Sequence, residues 1–322
     1  MRRVQGRPWA DVELLVARDL PGDSALGDLL GRGMEAPGRE GDPLSTWLPR
    51  IRPVLVALAA RASGASAVDP EAQYAAEVLH LALRVHDVAL GQRGGRRRRV
   101  AKRVLKRSVS VLAGSHITLR ALELARHASS PALLGEVVDT LREIADGQDV
   151  ADELRRGALA SREDWREHAD GHVAAVFSFC CRAGGHLGAA DLGTITSLGR
   201  YGRHVGRLWH AAEDVLALEG DEGSAHLVSR ALSGRPVLPV IAATEVLPAF
   251  GERWRRFVRE PGEVAADALL GEVIELGALS ASREVMARES WSARRALGGV
   301  APSDYRAALD QLAADLGRAR AA

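Results

Sequence analysis

The sequence is poor in cysteine, lysine and aromatic residues, and these scarcities exclude several classes of protein. Its two cysteines, Cys180 and Cys181, are adjacent, and neighbours on a helix point to different faces, which excludes a disulfide framework or a cysteine metal pair. No stretch approaches the ~20 apolar residues that span a bilayer, and the first residues lack an apolar signal core. We therefore expect a soluble, cytoplasmic protein without a transmembrane segment.

Charge of either sign is also not in excess, because 43 basic residues face 42 acidic ones. No overall field would recruit nucleic acid or an anionic membrane. The densest charge is the basic run at 96–107, which has three interpretations: diphosphate binding by Arg96 and Arg97, contact of the whole cluster with a phosphate backbone or an acidic membrane, or a solvated loop. No aromatic residue interleaves with these charges to stack on bases, so we expect no nucleic-acid partner.

Apolar residues recur at helical spacing along most of the chain, whereas alternation of strand type is scarce. With 322 residues, 47% of them hydrophobic, the chain can bury one large core. We predict an all-α helical domain over 44–322, preceded by a helical prelude and connector at 1–43. Glycine, proline and polar clusters predict breaks between helices near 31–43, 63–70, 92–95, 129–131, 184–191, 220–223, 234–236, 260–262 and 298–302.

Two predicted helices are largely apolar but carry a polar stripe along one face. On the helix from about Glu71 to Leu90, the stripe consists of Gln73, Glu77, His80, Arg84 and Asp87. On the helix from about Thr196 to Leu218, it consists of Arg203, Arg207, His210 and Asp214. Burying unpaired charges costs several kcal/mol, so the stripes indicate a polar pocket, mutual pairing or a charged ligand. The alternative is that one or both helices lie at the surface or at a subunit contact.

Both stripes end in segments with a shared pattern of residues, Arg84 to Gly91 and Leu208 to Ala217. These segments resemble the places where the trans-isoprenyl diphosphate synthases (polyprenyl synthetases) carry their Asp-Asp-x-x-Asp motifs. The three aspartate positions of the first motif are Asp87, Val88 and Gly91 here, and those of the second are Glu213, Asp214 and Ala217. The resemblance covers approximately residues 44 to 242, and it implies the single-domain helical bundle of farnesyl diphosphate synthase-like proteins.

The resemblance also implies positions that bind diphosphate: Arg50, Arg52, His80, Arg96 and Arg97. Two further segments, Tyr201 to Gly206 and Gly234 to Pro239, are similar to family segments on either side of the second motif. Other family positions differ, because a Lys-Thr pair corresponds to His172 and Val173. We place Arg84 and His210 in the pocket. His80 and His210 could contact phosphate or simply be hydrogen-bonded in the core.

In this family, the resemblance implies, Mg²⁺ neutralises the pyrophosphate that leaves an allylic diphosphate. Three aspartates spaced over one helical turn can bridge such ions, because Mg²⁺ takes several oxygen ligands. The catalytic remnant here is Asp87, Glu213 and Asp214, which would hold a metal weakly or not at all. Arg84 lies three residues before Asp87 and could occupy the metal's place, or the two could form an ordinary helix ion pair.

Two functions are consistent with these residues. In the first, the chain binds prenyl diphosphates, does not elongate them alone, and acts as a homodimer or as the partner of an active prenyl synthase. In the second, it is an active prenyltransferase or terpenoid enzyme that uses Mg²⁺ with a reduced ligand set. The loss of carboxylates at 88, 91 and 217 favours the first. The segment from Val104 to Ala125 carries apolar and small residues suited to a dimer contact.

Overall fold

All regular structure in the part of the chain that the computed structural model describes is helical. The described residues are 51–91, 115–146, 154, 158–219, 223–260 and 263–318, without the side chains of 84–91, 223–226 and 263–265. The helices are α1 Ile51–Ala62, α2 Pro70–Gly91, α3 at 115–127, α4 Ala132–Asp146, α5 Arg162–Ala169, α6 Ala175–Leu187, α7 Leu192–Glu219, α8 Gly223–Leu232, α9 Leu238–Val246, α10 Pro248–Arg259, α11 Glu263–Glu275, α12 Ala278–Ala296 and α13 Asp304–Leu316. The all-α prediction is therefore confirmed.

Most predicted boundaries agree with these helices. The predicted helix from about Glu71 to Leu90 is α2, and the one from about Thr196 to Leu218 is α7, which begins four residues earlier, at Leu192. Sequence analysis missed the break at Gly277, whose positive φ of 72° precedes α12. Residues 1–50 lie outside the described part, so the prelude and the domain boundary at 44 stay predictions.

One predicted break was placed too early. Sequence analysis expected helix termination from Gly184 onward, but α6 continues through Gly184 and Gly185 to Leu187. A Cβ at Gly184 would overlap Ala59 and the backbone of Ala60 in α1, and one at Gly185 would press on Ile195 of α7. These glycines therefore let helices approach each other closely, and their helical penalty of about 1 kcal/mol is offset by that packing.

The core is built around α1 and α6. Every residue of α1 except Arg61 is buried, and α6 packs against α1 on one side and α7 on the other. Helix α7 also packs along α12, so it lies within the bundle. Cys180 and Cys181 are both free and buried in α6. None of the described helices combines the length and the apolar composition that crossing a membrane requires.

A second, smaller apolar cluster joins α8, α9, α10 and α11. Its centre includes Leu227, Phe250, Trp254, Phe257 and Val273. The aromatic residues of α10 recur at spacings of four and three, which places them on one helix face. Helix α7 ends between the two clusters, because Val215 belongs to the main core and Leu218 to the smaller one. The second motif lies at this junction.

Candidate functional site

The second half of α7 carries the polar residues of the second motif. His210 and Asp214 are one helical turn apart and share a face, which turns inward because Leu208, Ala211 and Val215 around them are buried. His210 is 1% exposed and Asp214 is 0% exposed. Glu213 occupies the next position around the helix, and its side chain is 40% exposed. The motif therefore spans the boundary between core and solvent.

A buried arginine from the next helix binds all three of these residues. Arg230 of α8 places Nη1 3.3 Å from Glu213 Oε2, while its Nη2 lies 3.2 Å from Asp214 Oδ1 and 3.1 Å from His210 Nδ1. The contact with Asp214 Oδ1 is an ion pair without hydrogen-bond alignment. The other oxygen, Asp214 Oδ2, accepts a hydrogen bond of 2.9 Å from the backbone N–H of Leu238. Only 4% of Arg230 is exposed.

Burial dominates the ionisation of this group. It raises the pKa of Asp214 to about 6, although Arg230 and the Leu238 N–H oppose the rise. Burial also lowers the pKa of His210 well below its usual value, and the positive charge of Arg230 lowers it further. A guanidinium can only donate, so His210 Nδ1 must accept and the neutral ring carries its proton on Nε2. That Nε2 has no hydrogen-bond partner among the described residues.

A π-helical turn brings two more histidines to the same place. The turn Asp170–Ala174 joins α5 to α6, and π-helical turns are rare features that often accompany functional sites. The rings of His168 and His172 are stacked with centroids 5.2 Å apart, and His168 lies 5.6 Å from His210. Trp165 stacks on His210 from the other side, at 5.7 Å. All four rings are at least nine-tenths buried, so a ligand in solvent does not reach them directly.

The arginines earlier in the α7 stripe pair with acidic residues of other elements. Arg203 donates to Glu143 of α4 at 2.7 Å. Arg207 donates from Nε and Nη2 to the two oxygens of Asp170, at 2.7 and 2.5 Å. Sequence analysis left open whether the stripe served pairing, a pocket or a ligand, and for these two positions the structure shows pairing.

The positions predicted to bind diphosphate are described only in part. Arg52 is 8% exposed and donates from Nε and Nη2 to Glu77 at 3.0 and 3.1 Å, and His80 is half-buried on α2. Gln73 of the same stripe donates to the carbonyl of Pro53 at 3.1 Å. The remaining predicted site residues lie outside the described side chains: Arg50, Arg84, Asp87, Arg96 and Arg97. These assignments, like that of the remnant metal site, stay predictions.

A small cleft lies beside the second motif. Its volume is about 30 Å³, and apolar residues such as Val237, Val240 and Trp254 line it together with Arg235 and Thr244. A space of this size holds one or two water molecules and no prenyl chain. The cleft therefore does not supply the substrate pocket that the resemblance implies.

The second motif does not fit Mg²⁺ as the protein stands. This ion requires near-octahedral oxygen ligands at about 2.0–2.1 Å and keeps several waters. Asp214 is wholly buried and held by an N–H group and a guanidinium, while Ala217 supplies no oxygen. Among the described residues, no group of three or more His, Cys, Asp or Glu side chains is arranged to hold a metal ion.

Sequence reasoning missed Arg230 and the pair His168 and His172. Arg230 is 16 residues beyond Asp214 in the sequence, in another helix, and no local spacing rule connects them. His168 and His172 had a usable signal, because a spacing of four on a helix puts two side chains on one face. The π-helical turn that aims them at His210 has no comparable signature in the sequence.

Known proteins similar to this chain share one chemistry. Residues 49–259, more than half of the chain, match the family described as Polyprenyl synthetase. The chain is 26% identical over 271 residues to the all-trans-nonaprenyl-diphosphate synthase (geranyl-diphosphate specific) of Rhodobacter capsulatus, a match that covers 82% of each protein. It is 28% identical over 178 residues to the (2E,6E)-farnesyl diphosphate synthase of Mycobacterium tuberculosis, which covers 53% of this chain and 49% of that one.

Solved structures show the same bundle. A polyprenyl synthase from Caulobacter crescentus, crystallised with calcium and isoprenyl diphosphate, superposes with a TM-score of 0.74 at 26% identity, covering 98% of this chain and 95% of that one. A decaprenyl diphosphate synthase from Rhodobacter capsulatus gives a TM-score of 0.73 at 20% identity, covering 95% and 98%, and supports the fold alone. The helical architecture, the second-motif segment on α7 and the family match together lead to one conclusion: this chain belongs to the polyprenyl synthetase family.

Proposed function

We propose that this chain binds prenyl diphosphates, does not carry out ordinary Mg²⁺-dependent chain elongation alone, and acts as a partner subunit in isoprenoid biosynthesis. The observation that carries the proposal is the state of the second motif. Asp214 has its two oxygens engaged by the Leu238 N–H and by Arg230, and Ala217 stands where a third carboxylate would be. A motif in this state has no free oxygen ligand in its interior.

Elongation requires positive charge against the departing pyrophosphate, and metal ions bridged by carboxylates supply that charge in proteins that use them. Arg230 cannot supply it directly, because the guanidinium is 4% exposed and already faces two carboxylates. Neutralisation at the second motif is therefore spent inside the protein. This supports binding without turnover.

Diphosphate binding depends on cations elsewhere. Arg52 supports it, because Glu77 fixes the guanidinium through Nε and Nη2 and leaves the Nη1 edge unused by this pair. A guanidinium held by a carboxylate is well oriented for an oxyanion, and charge-assisted hydrogen bonds to phosphate need no metal. His80 lies three residues after Glu77 on the same helix face, and the family match includes both.

Calorimetry with inorganic pyrophosphate and with a prenyl thiodiphosphate, each with and without Mg²⁺, tests the binding. We expect binding that changes less than about tenfold when Mg²⁺ is removed, and a clear loss in Arg52→Met. The matched control is Arg120→Met, because Arg120 forms a surface pair with Glu123 and should leave binding unchanged. Absence of binding under all conditions would contradict the proposal.

The partner role is supported by apolar side chains exposed on three consecutive helices. Leu81 of α2 is 51% exposed, Leu119 of α3 is 58% exposed, and Leu134 and Val138 of α4 are 38% and 41% exposed. Leu119 belongs to the segment that sequence analysis assigned to a dimer contact, while Leu122 of the same segment packs against the chain's own core. Residues 104–114 of that segment lie outside the described part.

Light scattering of the purified chain, alone and mixed with a synthase encoded nearby, tests this role. We expect a dimer, and we expect Leu119→Glu to shift it toward monomer. Glu123→Gln, an exposed change on the same helix, serves as the control. A strictly monomeric chain that leaves the synthase's product unchanged would remove the partner role and leave a monomeric binder.

The alternative, an active enzyme with a reduced metal site, has one observation in its favour. The Glu213 carboxylate is 40% exposed at the edge of the motif and can reach solvent. An elongation assay with isopentenyl diphosphate and C5, C10 or C15 allylic diphosphates decides between the two. Mg²⁺-dependent product from the isolated chain that is lost in Glu213→Gln would establish the alternative.

A further inference from the structure

Three potential metal ligands converge on one guanidinium at the junction between α7 and α8. The carboxylate of Glu213, the carboxylate of Asp214 and Nδ1 of His210 lie 3.3, 3.2 and 3.1 Å from the terminal nitrogens of Arg230. Two carboxylates and one imidazole are a common ligand set for divalent transition metals. Here the positive charge they surround belongs to the protein.

The distances show which cation this arrangement suits. Metal–ligand bonds to nitrogen and oxygen are about 2.0–2.2 Å, whereas the three ligand atoms stand off by the length of a charge-assisted hydrogen bond or ion pair. The lone pair of His210 Nδ1 faces Arg230, because the guanidinium nitrogen can only donate to it. A neutral imidazole with a free lone pair is also the form that binds a metal.

We propose that Arg230 is the resident cation of the second motif and closes a latent divalent-metal site made by Glu213, Asp214 and His210. The inference deepens the proposed function, because it names the residue that makes this motif independent of metal. Shortening Arg230 to alanine would remove the cation and leave a space bordered by the three ligands. The chemistry of that ligand set favours Mn²⁺ or Zn²⁺ over Mg²⁺, because it includes nitrogen.

Titration with Mn²⁺ in the absence of any diphosphate tests the inference on four forms of the full chain: wild type, Arg230→Ala, Arg230→Lys and the double variant Arg230→Ala with Glu213→Gln. We expect Arg230→Ala to bind Mn²⁺ at least tenfold more tightly than wild type. Arg230→Lys keeps a cation and should resemble wild type. The double variant lacks one ligand and should lose the gain, which separates this site from any binding at Asp87.

Thermal unfolding gives a second readout that does not depend on activity. A metal that binds the folded chain raises its melting temperature in proportion to the logarithm of metal concentration. Arg230→Ala should therefore show a larger Mn²⁺-dependent shift than wild type or Arg230→Lys. A folded Arg230→Ala variant with no gain in Mn²⁺ binding would overturn the inference.

The wild type offers a test that does not require the alanine variant to fold. If Arg230 closes the motif, Glu213→Gln alone should leave the Mn²⁺ affinity of the chain unchanged. Tight Mn²⁺ binding by the wild type that Glu213→Gln abolishes would show that the motif is open and the inference wrong. Pyrophosphate binding by the wild type reports on the proposed function separately, so the two can fail independently.

Discussion

Up to Gly206, helix α7 presses against α6 through glycines and gives each arginine its own carboxylate, whereas beyond that point one arginine serves two carboxylates and an imidazole. In the first half, Arg203 has Glu143 and Arg207 has Asp170. In the second half, Arg230 faces Glu213, Asp214 and His210 together. The first half is balanced pair by pair, and the second carries more acceptors than cations.

This difference explains why the buried groups of the second half titrate unusually. A carboxylate with its own guanidinium partner is stabilised in its charged form. Asp214 is fully buried and shares its cation with Glu213, so burial outweighs pairing and its pKa rises to about 6. An unbalanced buried charge is acceptable where it serves a cation, which is the arrangement expected of a former metal motif.

Removing the shared cation should break this balance with the largest effect. Arg230→Met leaves Asp214 buried without a cationic partner, and breaking a buried pair in this way costs about 3–5 kcal/mol. Urea denaturation at neutral pH would measure the loss. The matched control is Arg294→Met, because Arg294 and Asp310 form a surface pair with side chains 48% and 40% exposed, worth under about 1 kcal/mol. Equal losses in the two variants would show that the second half is balanced after all.

The first half should fail through packing instead. A Cβ at Gly202 would overlap the carbonyl oxygen of Phe177 and the backbone of Ser178, which cannot move as a side-chain tip could. Gly202→Ala should therefore destabilise the fold by about 3 kcal/mol, the upper part of the usual range for overpacking. Gly271→Ala is the control, because its Cβ meets nothing within 4 Å on an exposed face of α11, and it should stabilise by up to about 1 kcal/mol. A neutral Gly202→Ala would mean that α6 and α7 can separate.

These two halves were not equally predictable from sequence. The helical period identified α7, and the segment Tyr201 to Gly206 marked the close approach of its first half. Both are local patterns, and local patterns determine helices and their apolar faces. The inward turn of His210 and Asp214 was also anticipated by the stripe.

The partners of those residues were not predictable. Arg230 reaches Asp214 only because α8 folds back beside α7, and the bond to the Leu238 N–H depends on the start of α9. Such contacts arise from tertiary packing between helices, about which one sequence contains no periodic signal. The break wrongly placed at Gly184 has the same origin, since that glycine answers to α1 and not to a turn.

Acid should distinguish the halves by a smaller amount. The folded pKa of Asp214, about 6, lies above its unfolded value of about 4, so the folded state binds more protons between these pH values. Its contribution to stability is full below about pH 4 and is lost as the pH rises through 6. Stability of wild type relative to Asp214→Asn should therefore fall by about 2 kcal/mol from pH 4 to pH 7.

Urea denaturation of both proteins across this range provides the measurement. His210, whose lowered pKa acts in the opposite direction, is present in both proteins and largely cancels in the difference. Asp139→Asn on the exposed face of α4 is the control, because Asp139 is 64% exposed and should give a nearly flat difference. A difference that rises with pH would reverse the assignment and indicate that Arg230 holds Asp214 ionised.

The smallest effect is expected where α7 begins to leave the balanced half. Arg203 and Glu143 have side chains 32% and 34% exposed, so Arg203→Met should cost about 0.5 kcal/mol, as for a solvent-screened pair. Arg207 lies one turn further, is 15% exposed and makes two bonds to Asp170, so Arg207→Met should cost about 1.5–3 kcal/mol, as for hydrogen bonds to a charged group. With Arg230, the three variants form a series along one helix. Denaturation curves should show losses that increase from Arg203 to Arg207 to Arg230, because burial increases in that order while the number of carboxylates per cation rises only at the last. If Arg207→Met costs as much as Arg230→Met, burial alone would account for the series, and the sharing of one cation by several acceptors would have no energetic consequence.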